Sequence, residues 1–300
     1  MAGTRDDRAG GRPSQRTTQK AKLGARDRSP KLRSTRRRAD SRRRLFAPVV
    51  SVSIVLAVVA GLVAVSLSSP KASANEAAAP ASVVSKVSTL TPSVLSRVGV
   101  GQASNPLESV PGGGPLTIKG KPVVVFVSEE SCPFCAAERW PLVIALSHFG
   151  TWGNLGATTS SGTDVYPGTA TFSFRNATYT SPYLTLRTTE LTDNAGHPLQ
   201  APTALDTELI NRYDVPPYVN SAAQSGAVPF LDIDNHYILA GAQYDPQVLA
   251  GLSMSQIAAQ LDDPTSPVAR AVDQSANVLI AAINQVLHRS GAHGPSAGGG

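Results

Sequence analysis

"K-P-V-V-V-F-V-S-E-E-S-C-P-F-C-A-A-E-R-W", residues 121–140, runs from an unbroken apolar stretch into the only two cysteines of a 300-residue chain. Within the first eight residues, Val123 to Val127 are apolar and mostly β-branched without alternation, the pattern of a strand covered on both faces in a sheet flanked by helices. Cys132 and Cys135 follow that strand directly and open a helix. Ala136, Trp140, Val143 and Ile144 fall at i, i+4, i+7 and i+8, one face at helical period. Pro141 lies inside the helix and should kink it, because it removes a backbone donor. Two cysteines scattered over a chain of this length would lie three apart roughly once in 150 arrangements, so the spacing needs a chemical cause.

Three causes compete. A tetrahedral zinc site takes four ligands and the pair supplies two. The five histidines, His148, His197, His236, His288 and His293, include no second paired spacing, so zinc would require a site shared between two chains. A structural disulfide here would close a very small loop, and stabilisation by cross-linking grows with loop length. A redox pair fits the local physics. With Cys132 as N-cap, Pro133 takes the first helical position, where its missing N–H costs nothing. The unpaired N–H groups and the positive end of the helix dipole then favour the Cys132 thiolate. Cys135, one turn on, can attack a mixed disulfide formed at Cys132. Cys132 is therefore the expected nucleophile and Cys135 the resolving thiol. Glu129, Glu130 and Glu138 add negative charge nearby and should limit the acidification. Phe134 is expected beside the sulfur as an apolar contact for substrate, Trp140 in the core, and His236 in a structural role.

Downstream, residues 150–200 are rich in Thr, Ser and Gly, with strand-like pieces at 169–174 and 183–191, and 204–213 reads as a short helix. "G-A-V-P-F-L-D-I-D-N-H-Y-I-L-A-G", residues 226–241, reads as two strands joined by a tight turn at Asp234-Asn235. Two helices close the chain. One starts at Ser253 with Gln256 completing a capping box. The other starts at Ser266-Pro267 and buries Val272, Leu279, Ile283 and Val286.

Upstream, charge is segregated. Residues 1–44 hold 16 Lys+Arg against 4 acidic residues, whereas residues 45–300 hold 11 against 17. The basic tail is too poor in apolar residues to fold. It could bind phosphate groups, but no aromatic residue interrupts it, and no nucleic-acid partner is expected. Leu45–Leu67 is 23 residues without a charge, long enough as a helix to span a ~30 Å hydrocarbon core. Basic residues beside such a helix stay cytoplasmic, which sends the rest of the chain outward, where disulfide chemistry is permitted. Three readings remain open: a retained anchor, cleavage after Ala74 in "K-A-S-A-N", and twin-arginine export from "S-R-R-R-L-F".

A buried strand, a C-x-x-C opening a proline-containing helix, and a later Val228-Pro229 at the start of a strand resemble thioredoxin-fold oxidoreductases. The "C-P-F-C" dipeptide is similar to that of glutaredoxins, and Val before the proline to that of periplasmic disulfide-forming enzymes. "E-S-C-P-F-C-A-A-E-R-W" with "A-V-P-F-L-D-I-D-N" resembles most closely a bacterial family of membrane-anchored thioredoxin-like proteins catalogued as a domain of unknown function. The resemblance implies that Pro229 is a cis-proline facing the cysteines and that Val228 lends backbone to a substrate groove shared with Pro133 and Phe134. It departs from the family in two ways: no histidine lies between the cysteines, and no lone acid stands out as a buried proton acceptor.

The expected architecture is α/β: a thioredoxin-like domain over 83–290 with a strand-containing insertion between the C-x-x-C helix and the cis-proline strand. A basic tail (1–44), a membrane helix (45–67) and a linker (68–82) precede it, and a disordered tail (291–300) follows. The expected activity is extracytoplasmic thiol–disulfide exchange with exported protein thiols, without metal or cofactor, served by a membrane-bound redox partner. The alternative is a non-catalytic peptide- or partner-binding module at the membrane with a structural cysteine pair.

Overall fold

The computed structural model describes residues 77–101, 103–219, 225–291 and 294–295. The chain opens with strand β1 (Ala77–Ala78) and helices α1 (Ala81–Ser88) and α2 (Pro92–Val98), then strands β2 (Glu108–Ser109), β3 (Thr117–Ile118) and β4 (Lys121–Ser128). Helix α3 (Pro133–Ser147) follows, then β5 (Thr151–Gly153), β6 (Gly156–Thr159), β7 (Ala170–Ser173), β8 (Thr178–Thr180) and β9 (Thr185–Glu190). Helix α4 (Ala204–Tyr213), β10 (Phe230–Ile233), β11 (Tyr237–Ala240), a 3-10 turn at Pro246–Leu249, α5 (Met254–Gln260) and α6 (Pro267–Arg289) complete the order.

The apolar run becomes β4, at the centre of a mixed sheet. It pairs with β9 in parallel and with β10 antiparallel, while β11 flanks β10 and β2 flanks β11. Its side chains alternate between two cores. Val124 and Phe126 enter the larger core with residues of α3 and α6. Val123, Val125 and Val127 enter a smaller core with Leu209 and Tyr213 of α4. Helices on both faces explain why β4 has no polar positions to alternate with. The parallel β4–β9 pair requires a crossover, supplied by α3 and the strands after it, and α4 leads back to the antiparallel β10.

Helix α3 is buried nearly all round: Pro133 and every residue from Cys135 to Leu146 are covered. One side meets the sheet and another meets α6. The inserted strands cover it too: Trp140 Nε1 donates to the Ala170 carbonyl at 3.0 Å, and its ring lies 4.7 Å from that of Phe172. Insertion strand β6 pairs with β7 and with β1, and β5 pairs with β8. The helix runs on through Pro141. Proline cannot donate to the carbonyl four residues back, and the Tyr244 hydroxyl donates to that Ala137 oxygen instead, at 2.7 Å.

The turn between β10 and β11 has positive φ at Asp234 (58°) and Asn235 (55°), as a tight hairpin turn of this hand requires. Thr203, Ser253 and Ser266 each accept the N3 backbone N–H as N-caps of α4, α5 and α6. Along α6, Val268, Val272, Leu279, Ile283 and Val286 are buried, each worth about 1.5–3 kcal/mol of apolar burial.

One boundary differs from the sequence reading. The expected linker over 68–82 already contains β1 and the start of α1, so folded structure begins before residue 83. Ala77 and Ala78 pair through backbone groups, which side-chain composition does not report. The basic tail and Leu45–Leu67 lie outside the described residues. Among those described, no helix is long and apolar enough to cross a membrane.

Candidate functional site

Cys132 sits where β4 hands over to α3. Its backbone is extended (φ −82°, ψ 123°) in the N-cap position, and its carbonyl accepts the first helical bond from Ala136 N at 3.0 Å. Its Sγ accepts the Cys135 N–H at 3.3 Å. The sulfur therefore lies at the positive end of a 15-residue helix. Cys132 is half-buried and Cys135 fully buried, and both are free thiols. Pro133 occupies the first helical position and is buried, whereas Phe134 is 40% exposed.

The antiparallel register of β10 on β4, with Phe230 opposite Val127, brings the start of β10 to the exit of β4. The Val228–Pro229 peptide there is cis, and the Cys132 thiol lies 3.7 Å from the Val228 carbonyl oxygen. Phe134 and Val228 line one groove of about 860 Å³. Sequence positions 132, 133, 134, 135, 228 and 229 thus converge on one place.

The two sulfurs are driven apart electrostatically. The Cys132 thiol is pushed down, first by its hydrogen bond with the Cys135 thiol and then by the N–H groups of Cys135 and Phe134 and the charge of Arg139, against the opposing effect of burial. Burial, above all, pushes Cys135 well up. The result is one anion-favouring sulfur near the surface and one neutral thiol behind it.

Arg139, one turn beyond Cys135, anchors a buried ionic network. Its Nε and Nη2 donate to the two Glu190 carboxylate oxygens at 3.0 and 2.6 Å, and Nη2 also meets Ser128 Oγ at 3.2 Å. Ser128 Oγ donates in turn to Glu190 at 2.8 Å. Both charged side chains are wholly excluded from solvent, and the fork geometry is the strong form of such a pair. The Glu129 N–H lies 3.5 Å from Cys135 Sγ.

The acids expected to oppose the thiolate are themselves altered. Burial raises Glu129 and Glu130, and takes Glu138 up to about 8. Glu138 receives the Gln243 N–H and Nε2, each at 3.0 Å, and Glu130 accepts from Ser173 Oγ at 2.6 Å. Burial thus weakens the tendency of these acids to carry the charge that would oppose a thiolate. Arg139 and Glu190 were absent from the sequence reading. An arginine four residues after Cys135, in a helix whose only other charged residue is Glu138, was the available signal. Trp140 lies in the core, and His236 sits in the hairpin turn with Nδ1 2.7 Å from the Asp234 carbonyl. Among the described residues no group of three or more His, Cys, Asp and Glu could hold a metal ion.

No curated protein and no solved structure matches the chain. Residues 112–285, more than half of it, match a family described as a domain of unknown function, and the match takes in β4, the cysteines, the Val228–Pro229 segment and most of α6. The chain belongs to that family, DUF929.

Proposed function

We propose that this chain is a thioredoxin-like thiol–disulfide oxidoreductase in which Cys132 is the attacking thiolate and Cys135 the resolving thiol. One observation carries the reading. Cys132 caps α3 with its sulfur accepting a backbone N–H and facing Val228, while Cys135 is buried one turn behind. The order β11-β10-β4-β9, with α3 and α4 on opposite faces, supports the thioredoxin-like reading of the fold.

In the exchange, the Cys132 thiolate attacks one sulfur of a partner disulfide, and the other partner sulfur leaves as thiolate. Cys135, giving up its proton, attacks Cys132 Sγ and expels the second partner sulfur. The partner gains two electrons and the pair becomes a disulfide. The reverse sequence donates that disulfide to a protein dithiol. Stabilising the Cys132 thiolate stabilises the reduced pair, which makes its disulfide the stronger oxidant. That favours donation to exported proteins, with a membrane redox partner accepting the electrons. The uncharged run Leu45–Leu67 behind a basic tail supports a single-pass anchor with the domain outside the cytoplasm.

Cys132→Ser is expected to abolish turnover of a model dithiol substrate, and Cys135→Ser to accumulate mixed disulfides that survive alkylation. Undiminished turnover in Cys132→Ser would remove the proposal.

A further inference from the structure

The groove beside Cys132 is walled by segments far apart in sequence. Phe134 comes from α3, Tyr166 from the β6–β7 connection, Glu108 from β2, Tyr218 from the stretch after α4, and Asp245 from the start of the 3-10 turn. The Phe134 and Tyr166 rings meet edge to face with centroids 6.2 Å apart. The Tyr166 hydroxyl lies against the Asp245 carboxylate. Glu108 and Asp245 are both exposed, and among the described residues no lysine or arginine lines the groove. Arg270 lines the adjoining cavity on the other side of Asp245, with its Nε directed to the Pro264 carbonyl at 3.3 Å.

A groove whose described lining holds two carboxylates, four aromatic rings and no cation has a definite chemical preference. Carboxylates attract a cation and repel an acidic segment, and phenol faces hold a guanidinium or ammonium by cation–π attraction. We propose that this groove selects cysteine-containing protein segments that carry an arginine or lysine close to the cysteine. The Cys132 sulfur takes the cysteine, and the Glu108–Asp245 side takes the basic residue. The selection rests on the exchange reading above, since the cysteine brings the segment to this groove. Tyr166 belongs to the insertion, so the insertion supplies part of the specificity as well as covering α3.

Two synthetic peptides test this, identical but for Arg or Glu at two positions flanking a serine in place of cysteine. Each is titrated into the full-length protein and into the Glu108→Gln/Asp245→Asn double variant. Both changes are at exposed positions, and Asn keeps the capping contact that Asp245 makes with Gln247 N at 2.9 Å. The Arg peptide should bind about tenfold more tightly at low ionic strength, with the gap narrowing as salt rises and closing in the double variant. The basic tail of residues 1–44 would pull the other way, so the preference has to emerge against it. Equal binding, no binding of either peptide, or a preference that survives in the double variant would overturn the proposal. The same peptides with cysteine restored report exchange separately. Selective binding without exchange would sink the redox reading and leave the groove's charge preference standing.

Discussion

The buried Arg139–Glu190 pair sets both the local stability and the field around the cysteines. Neither side chain reaches solvent, so removing one leaves the other charged and unpaired. Arg139→Met should therefore cost about 3–5 kcal/mol in denaturant unfolding. Arg139→Met combined with Glu190→Leu should cost clearly less than the two single changes summed, because the double variant strands no charge. Simple additivity in that cycle would show that the two do not act as a pair. The cysteines and Pro133 were legible in the sequence, because their signals are a short spacing and helix-start chemistry, whereas the Val228–Pro229 dipeptide was singled out only by a resemblance. The ion pair was not legible. Its partners lie 51 residues apart and meet because Ser128 and Glu190 are register partners between β4 and β9. No local pattern encodes that register.

Within α3, a proline stands in mid-helix without breaking it. The sequence reading expected a kink from the missing donor. The missing donor is real, but the carbonyl it leaves free is taken by the Tyr244 hydroxyl. Tyr244→Phe should thus cost about 1–3 kcal/mol, the penalty of an unpaired buried carbonyl. In a Pro141→Ala background, where residue 141 again carries an N–H for Ala137, the same change should cost markedly less. An unchanged penalty in both backgrounds would refute this account of the helix. Elements with caps or turn residues were readable: Ser253 with Gln256 for α5, Ser266-Pro267 for α6, and Asp234-Asn235 for the hairpin. Strand β1 was not, since two alanines carry no period and owe their place to pairing with β6.

Across the whole molecule, several carboxyls are buried with raised pKa values: Glu138 and Asp273 at about 8, Asp214 and Asp232 at about 7, each chiefly through burial. A group whose pKa is higher folded than unfolded binds protons preferentially in the native state. Its contribution is complete below the unfolded value near 4 and is lost as pH rises through the folded one. Stability should accordingly fall between pH 5 and pH 8, by about 3 kcal/mol or more. Thermal or denaturant melts over that range would check it, and a flat or rising profile would contradict it. The placement of the cysteines at a strand-to-helix junction was foreshadowed in the sequence, because the unbroken apolar run and the helical face after it each carry their own signal; the order of strands in the sheet was not. The groove's outer wall was not, since Glu108, Tyr166 and Asp245 come together only through the sheet edge, the insertion and the turn after β11. The central claim is that Cys132 and Cys135 cycle between dithiol and disulfide. Equilibrating the full-length chain in glutathione buffers and quantifying the oxidised pair tests it most directly. The account predicts a potential of about −230 mV or more oxidising, and a value below about −300 mV, the range of inert structural bridges, would contradict it.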